Sequence, residues 1–108
     1  MDRQLALKNA LDQILRVLAE KYQPQKVILF GSMATGEIRE WSDIDLVIIK
    51  ETPKRFLARL KEVALLCQSP VGVDYLVYTP REFEQLVAEN NPFIQIEIIQ
   101  KGKVIYER

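Results

Sequence analysis

The chain is predicted to be an α/β (α+β) domain with a small mixed central sheet flanked by helices, and three observations predict it. Short β-branched and apolar runs recur at Lys26–Phe30, Asp43–Lys50 and Val71–Thr79, separated by stretches with apolar residues at three and four spacings. Threonine followed by proline, at Thr52-Pro53 and Thr79-Pro80, marks a helix start after each of the last two strands. At 108 residues, the chain has the length of one domain, so residues 1–108 are expected to share one modest core.

The first helix is read from about Gln4 to Tyr22, where Leu5, Leu7, Ala10, Leu11, Ile14, Leu15, Val17 and Leu18 form an amphipathic pattern. Gln23-Pro24-Gln25 ends it. Lys26–Phe30, bounded by Gly31, reads as a buried strand. Gly31 to Ser42 is polar and punctuated by glycine, a loop with room for one helical turn. Asp43–Lys50 begins acidic and becomes continuously apolar, as a central strand does when its first residues emerge at a sheet edge or cleft. From Thr52-Pro53 a helix runs to about Gln68, with Phe56, Leu57, Leu60, Val63, Ala64 and Cys67 on one face. Val71–Thr79 is the third strand, and Thr79-Pro80 starts a helix through Phe83, Leu86 and Val87. In the last stretch Ile94, Ile96 and Ile98 alternate as in a strand, yet Asn91-Pro92 and Gly102 frame a helix; the framing decides for helix. Lys103–Glu107 is a candidate terminal strand.

Composition narrows the chemistry. Lys and Arg number 15 and are balanced by 15 Asp and Glu, histidine is absent, and cysteine occurs once. Without histidine there is no Ser-His or Cys-His nucleophile pair and no zinc site with imidazole ligands. Cys67 follows Ala64, Leu65 and Leu66 in an apolar helical pattern and reads as a core residue, which fits a reducing, cytoplasmic compartment. Met1 leads into Asp2-Arg3-Gln4, so no signal peptide is expected. The longest unbroken apolar run, Val63–Cys67, is far short of the ~20 residues of a membrane span, so no membrane partner is expected. Zero net charge speaks against a broad grip on nucleic acid, while leaving room for one bound nucleotide. The modest core makes a homo- or hetero-oligomer plausible.

Three carboxylates fall on predicted strands among apolar neighbours: Asp43, Asp45 and Asp74. Asp43 and Asp45 are two apart, so on a strand both point to one face, with Cα atoms roughly 6.5–7 Å apart at ~3.3 Å per residue. Hard divalent ions such as Mg²⁺ take oxygen ligands, commonly one or two carboxylates plus substrate phosphates; a third carboxylate on a neighbouring strand completes a two-metal arrangement. Taken singly, Asp43 is equally a strand cap, Asp45 a surface residue and Asp74 part of a solvated edge. Gly31-Ser32 follows the first strand directly and opens a loop whose N–H groups and hydroxyl suit phosphate oxygens. It matches neither the Walker pattern nor the G-x-G-x-x-G fingerprint.

The combination is more specific than its parts. Gly31-Ser32, ten intervening residues, Asp43-x-Asp45 running into an apolar strand, and a later strand carrying Asp74 resemble the nucleotidyltransferase superfamily that includes DNA polymerase beta. The short chain looks most like the minimal nucleotidyltransferase family, often the antitoxin partner of HEPN-domain toxins. The resemblance implies a polymerase beta-like fold, with Gly31 and Ser32 on the triphosphate, Asp43 and Asp45 on the metals, and Asp74 as third carboxylate near the attacking hydroxyl. It further implies two Mg²⁺ ions, ATP as substrate, and transfer of AMP to a protein acceptor, a tyrosine of a HEPN toxin. The alternative is a non-catalytic antitoxin that neutralises its toxin by direct binding. Transfer to a small molecule or an RNA end fits poorly, because the chain is too short for a dedicated acceptor domain.

One position departs from the family pattern G-S-x-A-R-G: here Thr35 stands where the family commonly has Arg, a hydroxyl without charge. Arg39, nearby in the loop, is the candidate nucleotide-binding replacement. Trp41 reads as a packed loop aromatic or as a contact for base or partner. Tyr75 and Tyr78 read as packing residues. Lys54, Arg55, Arg59 and Lys61 spread over a wide arc of their helix, the pattern of a solvated face.

Overall fold

The structure, a computed structural model, describes residues 2–108. Helix α1 (Arg3–Val17) is capped by Asp2, whose carboxylate accepts a hydrogen bond from the Gln4 N–H at 3.0 Å. It continues through a wider π-wound segment, Leu18–Tyr22, closed where Gln23 N–H donates to the Leu18 carbonyl at 2.7 Å. Then follow β1 (Lys26–Phe30), a short α2 (Ser32–Thr35), β2 (Ile44–Ile49), α3 (Phe56–Cys67), β3 (Val73–Tyr78), α4 (Pro80–Ala88), a π-helix (Ile94–Gln100) and β4 (Lys103–Glu107).

The four strands form one mixed sheet in the order β3-β2-β1-β4. β1 runs antiparallel to both β2 and β4, whereas β2 and β3 are parallel. The α3 crossover supplies the long connection that parallel neighbours need. Strand alternation divides the core. Val27, Leu29, Ile44, Leu46, Ile48 and Val77 pack with α1 and α3 on one face; Ile28, Val47 and Ile49 pack with Ile94 and Ile98 of the π-helix and with α4 on the other. Leu46, Val47 and Ile48 are fully buried, and at about 1.5–3 kcal/mol per aliphatic side chain they hold β2 in register despite the carboxylates at its start.

Several expectations are corrected. α3 begins at Phe56, after Arg55 in an extended conformation with no side-chain cap. The Thr52 hydroxyl is spent on a local turn, accepting from Lys54 N–H at 3.2 Å. Thr79, by contrast, does cap α4, in a reciprocal box with Glu82. The helix also packs a different face from the one expected: Leu57 is 76% exposed, Ala64 is exposed too, and Arg59 is turned inward.

Arg59 is the largest departure, because it is a buried staple on what read as a solvated face. Its Nε donates to the Lys54 carbonyl at 2.7 Å, and its Nη1 donates to the Val77 carbonyl at 3.1 Å and to Glu82 Oε1 at 2.7 Å. These bonds join α3, β3 and α4, and the Arg59 hydrogen bond holds the Glu82 carboxyl below its usual range.

The final segment is helical, as its framing suggests. Asn91 Oδ1 accepts from Ile94 N–H at 3.2 Å, and the winding buries Ile94 and Ile98 while Ile96 faces out. Lys103–Glu107 is a strand at the sheet edge. Cys67 is buried, and Tyr75 and Tyr78 pack against the two cores. Among the described residues, no helix is long and apolar enough to cross a membrane.

Candidate active site

The site is built where β1 ends and β2 and β3 begin. Phe30 is register partner to Asp45 across the antiparallel pair, and Asp45 is register partner to Asp74 across the parallel pair. Alternation puts Asp45 on the face of Val47 and Ile49, and Asp74 on the face of Leu76 and Tyr78, which is the same side of the sheet. Two carboxylates that are 29 residues apart in sequence therefore stand side by side. Asp43 lies one residue before β2, with its carboxylate against Gly72.

The loop closes onto this pair. Gly31 has φ +74° and ψ −156°, a conformation that side-chain-bearing residues rarely adopt, and a Cβ there would collide with Asp45 Oδ2. The missing side chain lets the backbone lie directly on the carboxylate. The Gly31 carbonyl accepts from Ala34 and Thr35 N–H at 3.0 and 3.2 Å, turning the chain sharply into α2, which Ser32 opens.

Electrostatics follow from this crowding. Partial burial, then the hydrogen bond to Asp74, then the charges of Asp74 and Asp43 push the Asp45 carboxyl up to about 6. A carboxyl destabilised as an anion by two like charges is stabilised by a divalent cation. Among the described residues, no three His, Cys, Asp or Glu side chains close into a self-sufficient metal cage. The donors present are hard oxygens on one open mouth, and Mg²⁺ commonly takes one or two carboxylates and completes its shell with waters and phosphates. The residues fit that ion.

The remaining predicted residues sit at the margin. Arg39 is exposed, with its guanidinium 5.9 Å from the ring centroid of Trp41, which is 74% exposed and so is not a packed aromatic. The Thr35 hydroxyl is turned back onto the Ser32 carbonyl at 3.3 Å. Sequence reasoning missed Arg3, whose Nη2 lies 3.6 Å from Asp43 Oδ1 and 2.7 Å from the Ser42 carbonyl oxygen. Its only sequence signal was a cation in the first turn of a helix. A cavity of about 520 Å³ lies at the other end of the sheet from the three carboxylates, by Lys26, Ile49 and Glu107, where Lys26 and Glu107 pair at 3.5 Å.

A mixed sheet with a glycine turn laid on adjacent strand carboxylates is the architecture of the nucleotidyltransferase fold class, and comparison with known proteins agrees. Residues 12–108 match the family described as "Polymerase beta, Nucleotidyltransferase", and the chain belongs to that family. A relative from Methanocaldococcus jannaschii, named "Putative protein adenylyltransferase MJ1305", is 33% identical over 116 aligned positions, covering all of this chain and 76% of the relative. Among solved structures, "a putative nucleotidyltransferase from Sulfolobus solfataricus" superposes with TM-score 0.66 at 20% identity, covering 97% of this chain and 84% of that one. A structure described as "the toxin-antitoxin with AMP-PNP" superposes with TM-score 0.53 at 21% identity, covering 90% of this chain and 73% of that one. At these identities the structural likenesses speak for the fold.

Proposed function

We propose that this nucleotidyltransferase is a Mg²⁺-dependent protein adenylyltransferase and antitoxin that transfers AMP from ATP to a tyrosine of a HEPN-type toxin. The observation that carries the catalytic part is the Asp45–Asp74 pair under the Gly31 backbone. Support for the acceptor class comes from the relative's name, and for a toxin partner from the toxin–antitoxin neighbour.

In this reading the acceptor hydroxyl oxygen bonds to the α-phosphorus while the bond from that phosphorus to the bridging oxygen breaks, and pyrophosphate leaves. Asp43, Asp45 and Asp74 would hold the metal ions, which when bound would lower the pKa of the attacking hydroxyl and neutralise charge on the phosphates. Asp74, exposed at the mouth, either ligates one metal or accepts the hydroxyl proton. The Gly31 turn and Ser32 face the triphosphate, with Arg39, over the Trp41 ring, as the loop's guanidinium.

Incubation with α-labelled ATP, Mg²⁺ and the cognate toxin tests this reading. Label is expected on the toxin and is expected to vanish with Asp43→Asn plus Asp45→Asn; label that survives the double change would overturn it.

A second reading, a non-catalytic antitoxin, is favoured by one observation: Thr35 offers its hydroxyl inward to Ser32 where the family carries a guanidinium. On that reading the double Asn variant still neutralises the toxin.

A further inference from the structure

We infer that Arg3 is a positioning residue for the candidate centre, setting the Asp43 carboxylate by holding the Ser42 backbone from the start of α1. This rests on the reading above, in which Asp43 is a metal ligand.

A cation in the first turn of a helix is electrostatically misplaced, because the exposed N–H groups there already carry partial positive charge. The one acidic group at this end is the N-cap Asp2, whose carboxylate is engaged by the Gln4 N–H, and the first turn itself contains none. Local rules are broken in this way chiefly at functional sites. The compensation for Arg3 lies 39 residues away. Its Nε and Nη2 both donate to the Ser42 carbonyl, at 3.1 and 2.7 Å, while Nη2 stands 3.6 Å from Asp43 Oδ1. The first two are hydrogen bonds of good length. The third is too long for one and joins partly exposed groups, so it is a minor charge contact. The grip on the backbone dominates.

Ser42 is built to be gripped. It is buried, its Oγ accepts from Arg39 N–H at 2.8 Å, and its own N–H donates to the Arg39 carbonyl at 3.1 Å. Arg3 holds the remaining polar group, the carbonyl, and so fixes the peptide that leads into Asp43. Gly72 lies against the same Asp43 oxygen, where a Cβ would come within 2.7 Å of Oδ1. The half-exposed carboxylate thus has both a guanidinium and a bare glycine backbone as neighbours. Lysine, a single point donor, cannot reproduce the forked grip in full.

The test uses the full chain and Mn²⁺, followed by water proton relaxation, with amide hydrogen exchange of Ser42 measured in metal-free protein. Arg3→Ala is expected to weaken Mn²⁺ binding about tenfold and to speed Ser42 exchange, and Arg3→Lys to recover part of both. Arg3→Ala that binds Mn²⁺ as tightly as wild type, or more tightly, overturns the inference, provided Asp43→Asn loses binding. Unchanged binding in Asp43→Asn as well means that the metal-site reading itself has failed, and the role of Arg3 with it. Where Arg3→Ala does not fold, Arg3→Lys decides: an intermediate affinity supports the grip and a wild-type affinity overturns it.

Discussion

Asp45 and Asp74 are register partners on neighbouring parallel strands, with the Gly31 backbone lying against Asp45, so the chain keeps two acidic groups together at a cost to its own stability. Burial and these neighbours raise Asp45 to about 6, about two units above its ordinary value of 3.8. One unit corresponds to ~1.4 kcal/mol, and after discounting for partial exposure about 1 kcal/mol of destabilisation remains at neutral pH. Metal-free Asp45→Asn is therefore expected to melt about 4–8 °C above wild type at pH 7.5. Differential scanning calorimetry in chelator checks this, and a lower melting point for the variant would contradict it.

The same pair dictates a pH profile. A carboxyl whose folded pKa is raised weakens the fold fully above that pKa, and the penalty fades as pH falls from about 6 toward 3.8, where the folded state binds a proton that the unfolded state does not. The difference in melting temperature between Asp45→Asn and wild type is thus expected to be largest above pH 7 and near zero at pH 4. A difference that is constant across this range would show that the charge is not its source.

Gly31→Ala meets two obstacles, a positive φ and the Asp45 carboxylate in the space its methyl needs. We expect a loss of about 1–2 kcal/mol in urea unfolding and loss of label transfer. Gly36→Ala, where φ is also positive but the space is open, is expected to lose less stability than Gly31→Ala and to keep transfer. Equal loss of transfer in both variants would separate activity from the Gly31–Asp45 contact.

Arg59→Ala is expected to cost about 3 kcal/mol or more, because it strands the Val77 carbonyl and leaves Glu82 without its cation. Glu82 is held low by Arg59, so the pair stabilises the fold above the ordinary Glu range and is lost as pH falls through the lowered value. The variant should lose that part of the acid-side decline. Urea unfolding at pH 7 and pH 3 measures both effects.

In the loop between β1 and β2, on the proposed function, Thr35→Arg is expected to tighten ATP binding about five- to tenfold by supplying a guanidinium, and Arg39→Ala to weaken it. Calorimetric titration of both variants ranks the two positions. No change on Arg39→Ala would leave the loop without a working cation of its own.

Much of this molecule could be read before it was seen. Apolar runs located the strands, and the spacing from Gly31-Ser32 to Asp43 and Asp45 picked out the turn and the carboxylates, because local backbone chemistry is written locally. What sequence conceals is register and rotation. Nothing in residues 43–74 states that Asp45 would be partner to Asp74 rather than offset from it, nor that Arg3 would reach Ser42. Thr52-Pro53 looked like the cap that Thr79-Pro80 is, and only tertiary packing spends the first on a turn. The face that α3 turns to the sheet carries Arg59, Val63 and Cys67, so Leu57 is out and Arg59 in. The alternating isoleucines near the C-terminus suit a strand as well as a helix, and the Asn91-Pro92 and Gly102 framing decides correctly for helix, in which Ile94 and Ile98 share a face while Ile96 does not.

The α3 crossover has a consequence for how this centre can be disabled. Asp45 and Asp74 meet only because the chain between them leaves the sheet, runs through α3 and returns in parallel, with Arg59 clamping that excursion to β3 and α4. The two carboxylates are thus the ends of one excursion of the chain, pinned along its way by a distant guanidinium. If weakening that clamp lowers label transfer with neither carboxylate touched, inactivating changes will be found on a helix face remote from Asp45 and Asp74.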